Sequence, residues 1–301
     1  KFSLQNRDAL RKCQFVNHST LRNLIDQSNK YFITQKMQPS NLDSILRSLQ
    51  ESDNNTTIFD ESWSQGRSAF GGISAAFAVT AMRKLVSPNQ PMRSLMVSFI
   101  APVPPGIVKV EAEIIRQGKN VTQLEASVLC GGNVCLRAMA AFGHSRETFN
   151  VRSVENLKLA PRGSGVKFED HAKQTPGFLQ FFDGEWVNEG LPFAGKLSRE
   201  LAMWVRHNTD LNQFPAEKLI TVSDIPPPVI LSHFDKPPVP SSSLTWSLEF
   251  VIPPDEIPSN WFYLEFLVDA AANGYTQQSG KIYDEEGRLC ALSRQCMVYF
   301  S

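Results

Sequence analysis

The chain has 301 residues, with 30 Lys and Arg balanced by 30 Asp and Glu, 42% apolar residues and 20% charged ones. Such a composition belongs to a packed protein rather than a disordered one, and the length admits about two domains or two similar halves. Zero net charge leaves no electrostatic footprint for nucleic acid, and no apolar run approaches the roughly 18 residues of a membrane-spanning helix, so neither partner is expected.

In chain order, residues 1–36 carry seven bases (Lys1, Arg7, Arg11, Lys12, Arg22, Lys30, Lys36) against Asp8 and Asp26, with no apolar signal core. They read as an extension, either a transit segment or an amphipathic helix presenting Leu21, Leu24, Ile25 and Phe32. Residues 41–50 (NLDSILRSLQ) space Leu42, Ile45, Leu46 and Leu49 on one side of a short helix, fit to cover a sheet edge or a dimer-facing surface. Residues 72–82 (GISAAFAVTAM) have no charge on any face, and a helix apolar all round must be surrounded, as by a curved antiparallel sheet. Beyond it Val108, Val110, Ala112 and Ile114 alternate with Lys109, Glu111 and Glu113, the period of a strand.

A repeat then becomes visible. SLMVSFIAPVPPG from Ser94 is echoed by SLTWSLEFVIPPD from Ser243, and Val121-Thr122-Gln123-Leu124 by Tyr275-Thr276-Gln277-Gln278. Each second motif leads into a hairpin, turning at Gly131-Gly132-Asn133 or at Glu285-Glu286-Gly287. Two copies of one unit divide the chain into an extension (1–40), a first unit (41–150), a crossover rich in Gly, Pro and charge (151–194) and a second unit (195–301). Phe178, Phe181, Phe182 and Trp186 of the crossover are free to pack on either unit. By the repeat, the central helix of the second unit falls at residues 223–231 (SDIPPPVIL), with Asp224 at its cap and prolines in its first turn.

Cysteines 13, 130, 135, 290 and 296 form no CxxC pair and have no His at zinc spacing, so reduced thiols in an intracellular compartment are expected. His144, His171, His207 and His233 are likewise scattered, and no metal or other cofactor is expected. Sequons at Asn17, Asn54, Asn55 and Asn120 lack a secretory context. Trp246, Trp261 and Phe262 read as core.

An apolar helix wrapped by a curved sheet, twice over, is a double hotdog of the α+β class. Phe70-Gly71-Gly72 opening the helix, Ser98-Phe99 with Pro102, Trp204-Val205-Arg206 before Ser223-Asp224, and a last strand with Gln295 make the chain resemble the acyl-CoA thioesterase II family. The resemblance runs from about residue 41 to the C-terminus. It implies hydrolysis of acyl-CoA by a water held between Asp224, Ser243 and Gln295, in a homodimer or higher homo-oligomer. Thr245 and Trp246 stand where bacterial members have an acid and a His, which bears on acyl or coenzyme A preference. Peroxisomal relatives end in a Ser-Lys-Leu-type signal, whereas this sequence reads Val298-Tyr299-Phe300-Ser301, leaving a cytoplasmic, peroxisomal or mitochondrial location open.

The chemistry also stands on its own terms. Thioester hydrolysis needs a positioned water, a proton acceptor and donors for the developing oxyanion. Asp224 supplies a base, Ser243 and Gln295 orient the water, and unpaired amides at a helix start near Gly71 and Gly72 meet the oxyanion. No GxSxG elbow occurs, which favours direct attack by water over an acyl-enzyme. Each residue also has a plainer reading: Asp224 as a helix cap, Ser243 as a strand-edge residue, Gln295 as a partner for neighbouring backbone, and the glycines as a close helix contact. Two other functions fit the fold: a non-catalytic acyl-CoA-binding or assembly module, and a hydratase or dehydratase. The latter uses a His/Asp pair on the central helix, and residues 72–82 contain none.

Overall fold

A computed structural model describes residues 40–151, 153, 159–171 and 175–300. The readings of residues 1–36, Cys13 and the His171 side chain lie outside what is described. The first helix, α1 (Leu42–Glu51), is capped by Asn41, whose side chain accepts from the Ser44 amide at 2.9 Å, satisfying one of the donors a helix start leaves unpaired. Its apolar side, Leu42, Ile45, Leu46 and Leu49, is buried against the next helix, α2 (Gly71–Arg83), and the short strand β1 (Thr56–Phe59). Every residue of α2 from Gly72 to Met82 is buried, as its unbroken apolar surface requires. A two-stranded ribbon, β2 (Ser64–Gln65) and β3 (Ser68–Ala69), leads into it.

Around α2 run β4 (Met92–Phe99), β5 (Gly106–Gln117), β6 (Val121–Cys130) and β7 (Asn133–Gly143). The tight turn between β6 and β7 uses Gly131 and Gly132, both at positive φ, where a side chain would be strained. In the crossover, β8 (Val166–Lys167) and β9 (Phe182–Trp186) extend the sheet from its far edge. The crossover aromatics reach back to the first half. Phe181 stacks on Trp63 and Phe178 on Phe70, each with ring centroids 4.0 Å apart.

The second half comprises β10 (Glu200–His207), helix α3 (Pro215–Ser223), β11 (Ser241–Phe250), β12 (Phe262–Ala272), β13 (Tyr275–Tyr283) and β14 (Leu289–Tyr299). Here the structure corrects the sequence reading, because the central helix is residues 215–223 and Asp224 closes it rather than opening it. Pro215 occupies the first turn, where its missing N–H costs nothing, and the prolines at 226–228 follow the helix, where they cannot continue it. The helix was hidden by Glu217 and Lys218, which look like surface charges and are buried.

The sheets of the two halves join into one antiparallel sheet of 12 strands, ordered β1-β5-β6-β7-β4-β11-β14-β13-β12-β10-β9-β8. The junction is the β4–β11 pair, where Leu95 faces Leu248 and Val97 faces Trp246. These two pairs exchange under a local two-fold that takes Leu95 to Trp246 and Val97 to Leu248. The same operation relates the amides of Ile100 and Ala101, which both donate to the Cys135 carbonyl, to those of Val251 and Ile252, which donate to Cys290. The repeat is therefore real, with its strands aligned two residues away from the Ser94–Ser243 match, and both halves carry a bulge at the equivalent place, between Met92 and Ser94 in β4 and between Ser243 and Thr245 in β11. Cys130, Cys135, Cys290 and Cys296 are free thiols. Among the described residues no helix is long and apolar enough to cross a membrane.

Candidate functional site

The two central helices cross antiparallel, so the start of α2 meets the end of α3. Close approach depends on two glycines. A Cβ on Gly72 would come within 3.0 Å of the Thr221 Cα, and one on Gly71 within 2.6 Å of Asp224 Oδ2 and 3.1 Å of the Phe99 ring. Gly71 and Gly72 thus serve the helix contact and also bring backbone against a carboxylate.

Asp224 sits where the dipoles of the two helices meet. The end of α3 opposes a negative charge there, while the first turn of α2, whose opening amides have no helical acceptors, favours one. The Gly72 amide donates to the Asp224 carboxyl, and Gln295 Nε2 donates to Asp224 Oδ1 at 2.7 Å. Burial outweighs both and raises the Asp224 pKa to about 7. The residue as a whole nevertheless keeps some exposed surface.

Gln295 points inward from β14 and is 3% exposed. Its own carbonyl oxygen accepts from Gln278 Nε2 at 3.0 Å, and Gln278 Oε1 in turn accepts from the Val229 amide at 3.0 Å. Sequence reasoning did not single out Gln278, although a signal was present. In the repeat, Gln278 matches Leu124, and a Gln replacing an apolar residue on an inward position needs a partner.

Ser243 pairs with Met297, two residues from Gln295 and on the same inward face of β14. It therefore lies diagonal to Gln295, with no hydrogen bond from its hydroxyl to any described residue. Trp246, directly opposite Gln295, is buried and donates its indole N–H to Ser293 Oγ at 2.9 Å. Thr245 faces the other way. It lines a groove of about 540 Å³ on the outer sheet face with Met96, Met139 and Arg294, a groove whose lining includes Gln295 but not Asp224. The structure thus brings Asp224, Gln295, Gly71 and Gly72 together, with Ser243 on the adjoining stretch of the same face.

The histidines stand apart from this group. His207 is buried, with Nε2 2.7 Å from Thr221 Oγ1, and its pKa is lowered to about 3 by burial, so it is a neutral core residue. Among the described residues, no group of three His, Cys, Asp or Glu side chains is placed to hold a metal ion.

Two family models match the chain. One, described as acyl-CoA thioesterase N-terminal domain, covers residues 59–143, and one described as acyl-CoA thioesterase C-terminal domain covers residues 160–299. No curated protein matches significantly. Among solved structures, a hot dog fold protein from Alicyclobacillus acidocaldarius superposes with a TM-score of 0.70 at 20% identity, covering 82% of this chain and 92% of the other. An acyl-CoA thioesterase II from Mycobacterium marinum gives 0.61 at 20% identity, covering 77% and 90%. A tesB protein of Mycobacterium avium gives 0.66 at 16% identity, covering 87% and 100%. At these identities the structures are similar in fold, and that fold is the double hotdog.

Proposed function

Because the chain belongs to the acyl-CoA thioesterase family, we propose that it hydrolyses acyl-CoA thioesters to a free acid and coenzyme A, with Asp224 as the general base. The observation that carries this reading is a carboxyl, on a residue that keeps some exposed surface, with its pKa raised to about 7 by burial and held by a Gln amide and a helix-start amide. A base is most useful when its pKa lies near the working pH, since it is then largely ionised and still a competent proton acceptor. A water beside Asp224 loses its proton to the carboxylate as its oxygen bonds to the thioester carbon. The C–S bond then breaks, and the proton is returned to the departing sulfur.

Ser243 and Gln295 orient that water in this proposal. The Gly72 amide is occupied by Asp224, so the oxyanion is assigned to the Gly71 amide, which has no helical acceptor. Attack by water without a covalent acyl-enzyme accords with the hydrogen bonds of His144, His207 and His233, which go to Asn89, Thr221 and Ser198 rather than to Ser243. The division into an extension and two hotdog units joined by a crossover, and assembly into a homodimer or higher homo-oligomer, belong to the same proposal.

Release of free coenzyme A, followed with a thiol reagent over acyl chains of increasing length, tests the activity. The parent is expected to turn over, with kcat/KM falling below about pH 7 as Asp224 becomes protonated. Ser243→Ala is expected to lower kcat about 10-fold with KM unchanged, since water placement acts in the transition state. Tight acyl-CoA binding without turnover would instead make the protein a binding module.

A further inference from the structure

Gln278 is wholly buried, far from any solvent-exposed role, and the hydrolytic reading leaves it without a task. Its surroundings fix its orientation. The Val229 N–H can only donate, so the atom it meets at 3.0 Å must be Gln278 Oε1. Gln278 Nε2 is then a donor, and the Gln295 atom 3.0 Å away must be Oε1. That leaves Gln295 Nε2 facing Asp224 Oδ1 at 2.7 Å. One backbone amide thereby settles the orientation of two side chains that could each be turned through 180° at similar steric cost.

We propose that Gln278 is a positioning residue that locks Gln295 as a donor to Asp224, through a one-way chain from Val229 N–H to the carboxylate. Every link donates toward Asp224, so the chain favours the ionised form. Chains of this kind polarise their members and strengthen the terminal bond. Without Gln278, Gln295 has no donor for its Oε1 and can present that oxygen to Asp224, an arrangement that only a protonated acid satisfies.

Among the described residues no charged side chain shifts Asp224, which answers to burial, Gln295 and the Gly72 amide, and His207, against Thr221 one turn earlier on α3, is neutral. Glu249, Lys281 and Arg294, on the three strands nearest, are exposed on the outer face. On α3, Glu217 accepts from Thr80 and Lys218 donates to the Ser259 carbonyl, both one helix length away from Asp224. Arg83 lies at the far end of α2, donating to the Gln90 carbonyl, and His233, after Val229, contacts the Ser198 carbonyl. Asp284 and Arg288 pair with each other at the β13–β14 hairpin, and Tyr283 at that end of β13 is influenced by Glu265.

The proposal rests on the hydrolytic reading for its purpose, but its test does not. Carbon-13 carboxyl titration of the full chain, with the Asp224 signal assigned by its loss in Asp224→Asn, is compared between the parent and Gln278→Met. The expected result is an upward shift of the Asp224 titration by about one unit, with the acid limb of kcat/KM moving equally and KM unchanged. Should Gln278→Met not fold, Gln278→Leu, which copies the residue at the matching position of the first half, takes its place. A titration coincident with the parent in a folded variant overturns the proposal. A parent that hydrolyses no acyl-CoA overturns the functional reading instead, and the carboxyl titration still decides whether the chain of amides acts on Asp224.

Discussion

The two halves share five strands in matching order about a local two-fold, with β9 and β8 added at the far edge of the second, yet only one carries an inward pair of amide side chains. In the second half, the inward pair between β13 and β14 is Gln278 opposite Gln295, and in the first half the matching pair between β6 and β7 is Leu124 opposite Ala140. Neighbouring positions are preserved, with Thr276 and Thr122 both wholly buried at the step before. The helix crossing diverges in the same sense. Where α3 ends, Asp224 meets the start of α2; where α2 ends, Thr80 donates at 3.0 Å to Glu217 near the start of α3. Burial raises the pKa of Glu217 as well, but its side-chain partner is the Thr80 hydroxyl, and it serves as a buried tie between the helices. A shared backbone fixes where a site can form, and a few inward side chains decide in which copy it does.

The comparison breaks most severely at Asp224. Asp224→Asn is expected to reduce kcat about 1000-fold and to raise the melting temperature at pH 8. A carboxyl whose folded pKa, about 7, lies above its unfolded value binds extra proton in the folded state between the two. Its contribution to stability is complete below the unfolded value, about 3.9, and is lost as pH rises through 7. Removing the charge therefore helps most on the alkaline side, and melting curves at pH 5 and pH 8 check the sign. A lower melting point at both, with turnover intact, would reduce Asp224 to a cap.

Making the equipped half resemble the other, Gln295→Ala is expected to cost about 100-fold in kcat, the scale of losing one oriented donor. Turnover within a few-fold of the parent would remove Gln295 from the mechanism. The converse change, Leu124→Gln, places an unpartnered amide in an apolar position and is expected to cost about 2 kcal/mol of stability while leaving kcat unchanged. Chemical denaturation and turnover measure both, and any gain in turnover would show that the first half is closer to being a site than its side chains suggest. The smallest effect is expected for Thr80→Val, about 1 kcal/mol for one buried hydrogen bond, with hydrolysis retained. A large loss of turnover there would mean that the two crossings are coupled.

Much of this was legible in the sequence, for identifiable reasons. α2 announced itself because eleven successive uncharged residues leave no polar face, and α1 because its four apolar positions fall on one side. The hairpins were marked by glycines that only such turns require. The second central helix was missed because Glu217 and Lys218 interrupt its apolar pattern, their burial being made tolerable by Thr80 and the Ser259 carbonyl, partners 137 and 41 residues away in sequence. The types of the polar site residues were readable, but their orientation was not. That Asp224 ends its helix, that the Gly72 amide is turned onto it and that Gln278 stands behind Gln295 are products of strand register and helix crossing, which no local pattern encodes.

The position of β14 has a consequence for how the protein is made. It is the last strand in chain order but not an edge strand, for it lies between β11 and β13 inside the sheet. A chain emerging from the ribosome has to keep that slot available, with the backbone donors and acceptors of β11 exposed along one side, until the final segment arrives to fill it. Gln295 travels on that segment, more than 200 residues after Gly71. No nascent intermediate can therefore hold Asp224 in its finished setting, and the proposed site would be complete only on closure of the sheet, after nearly all the fold's hydrophobic surface has been synthesised.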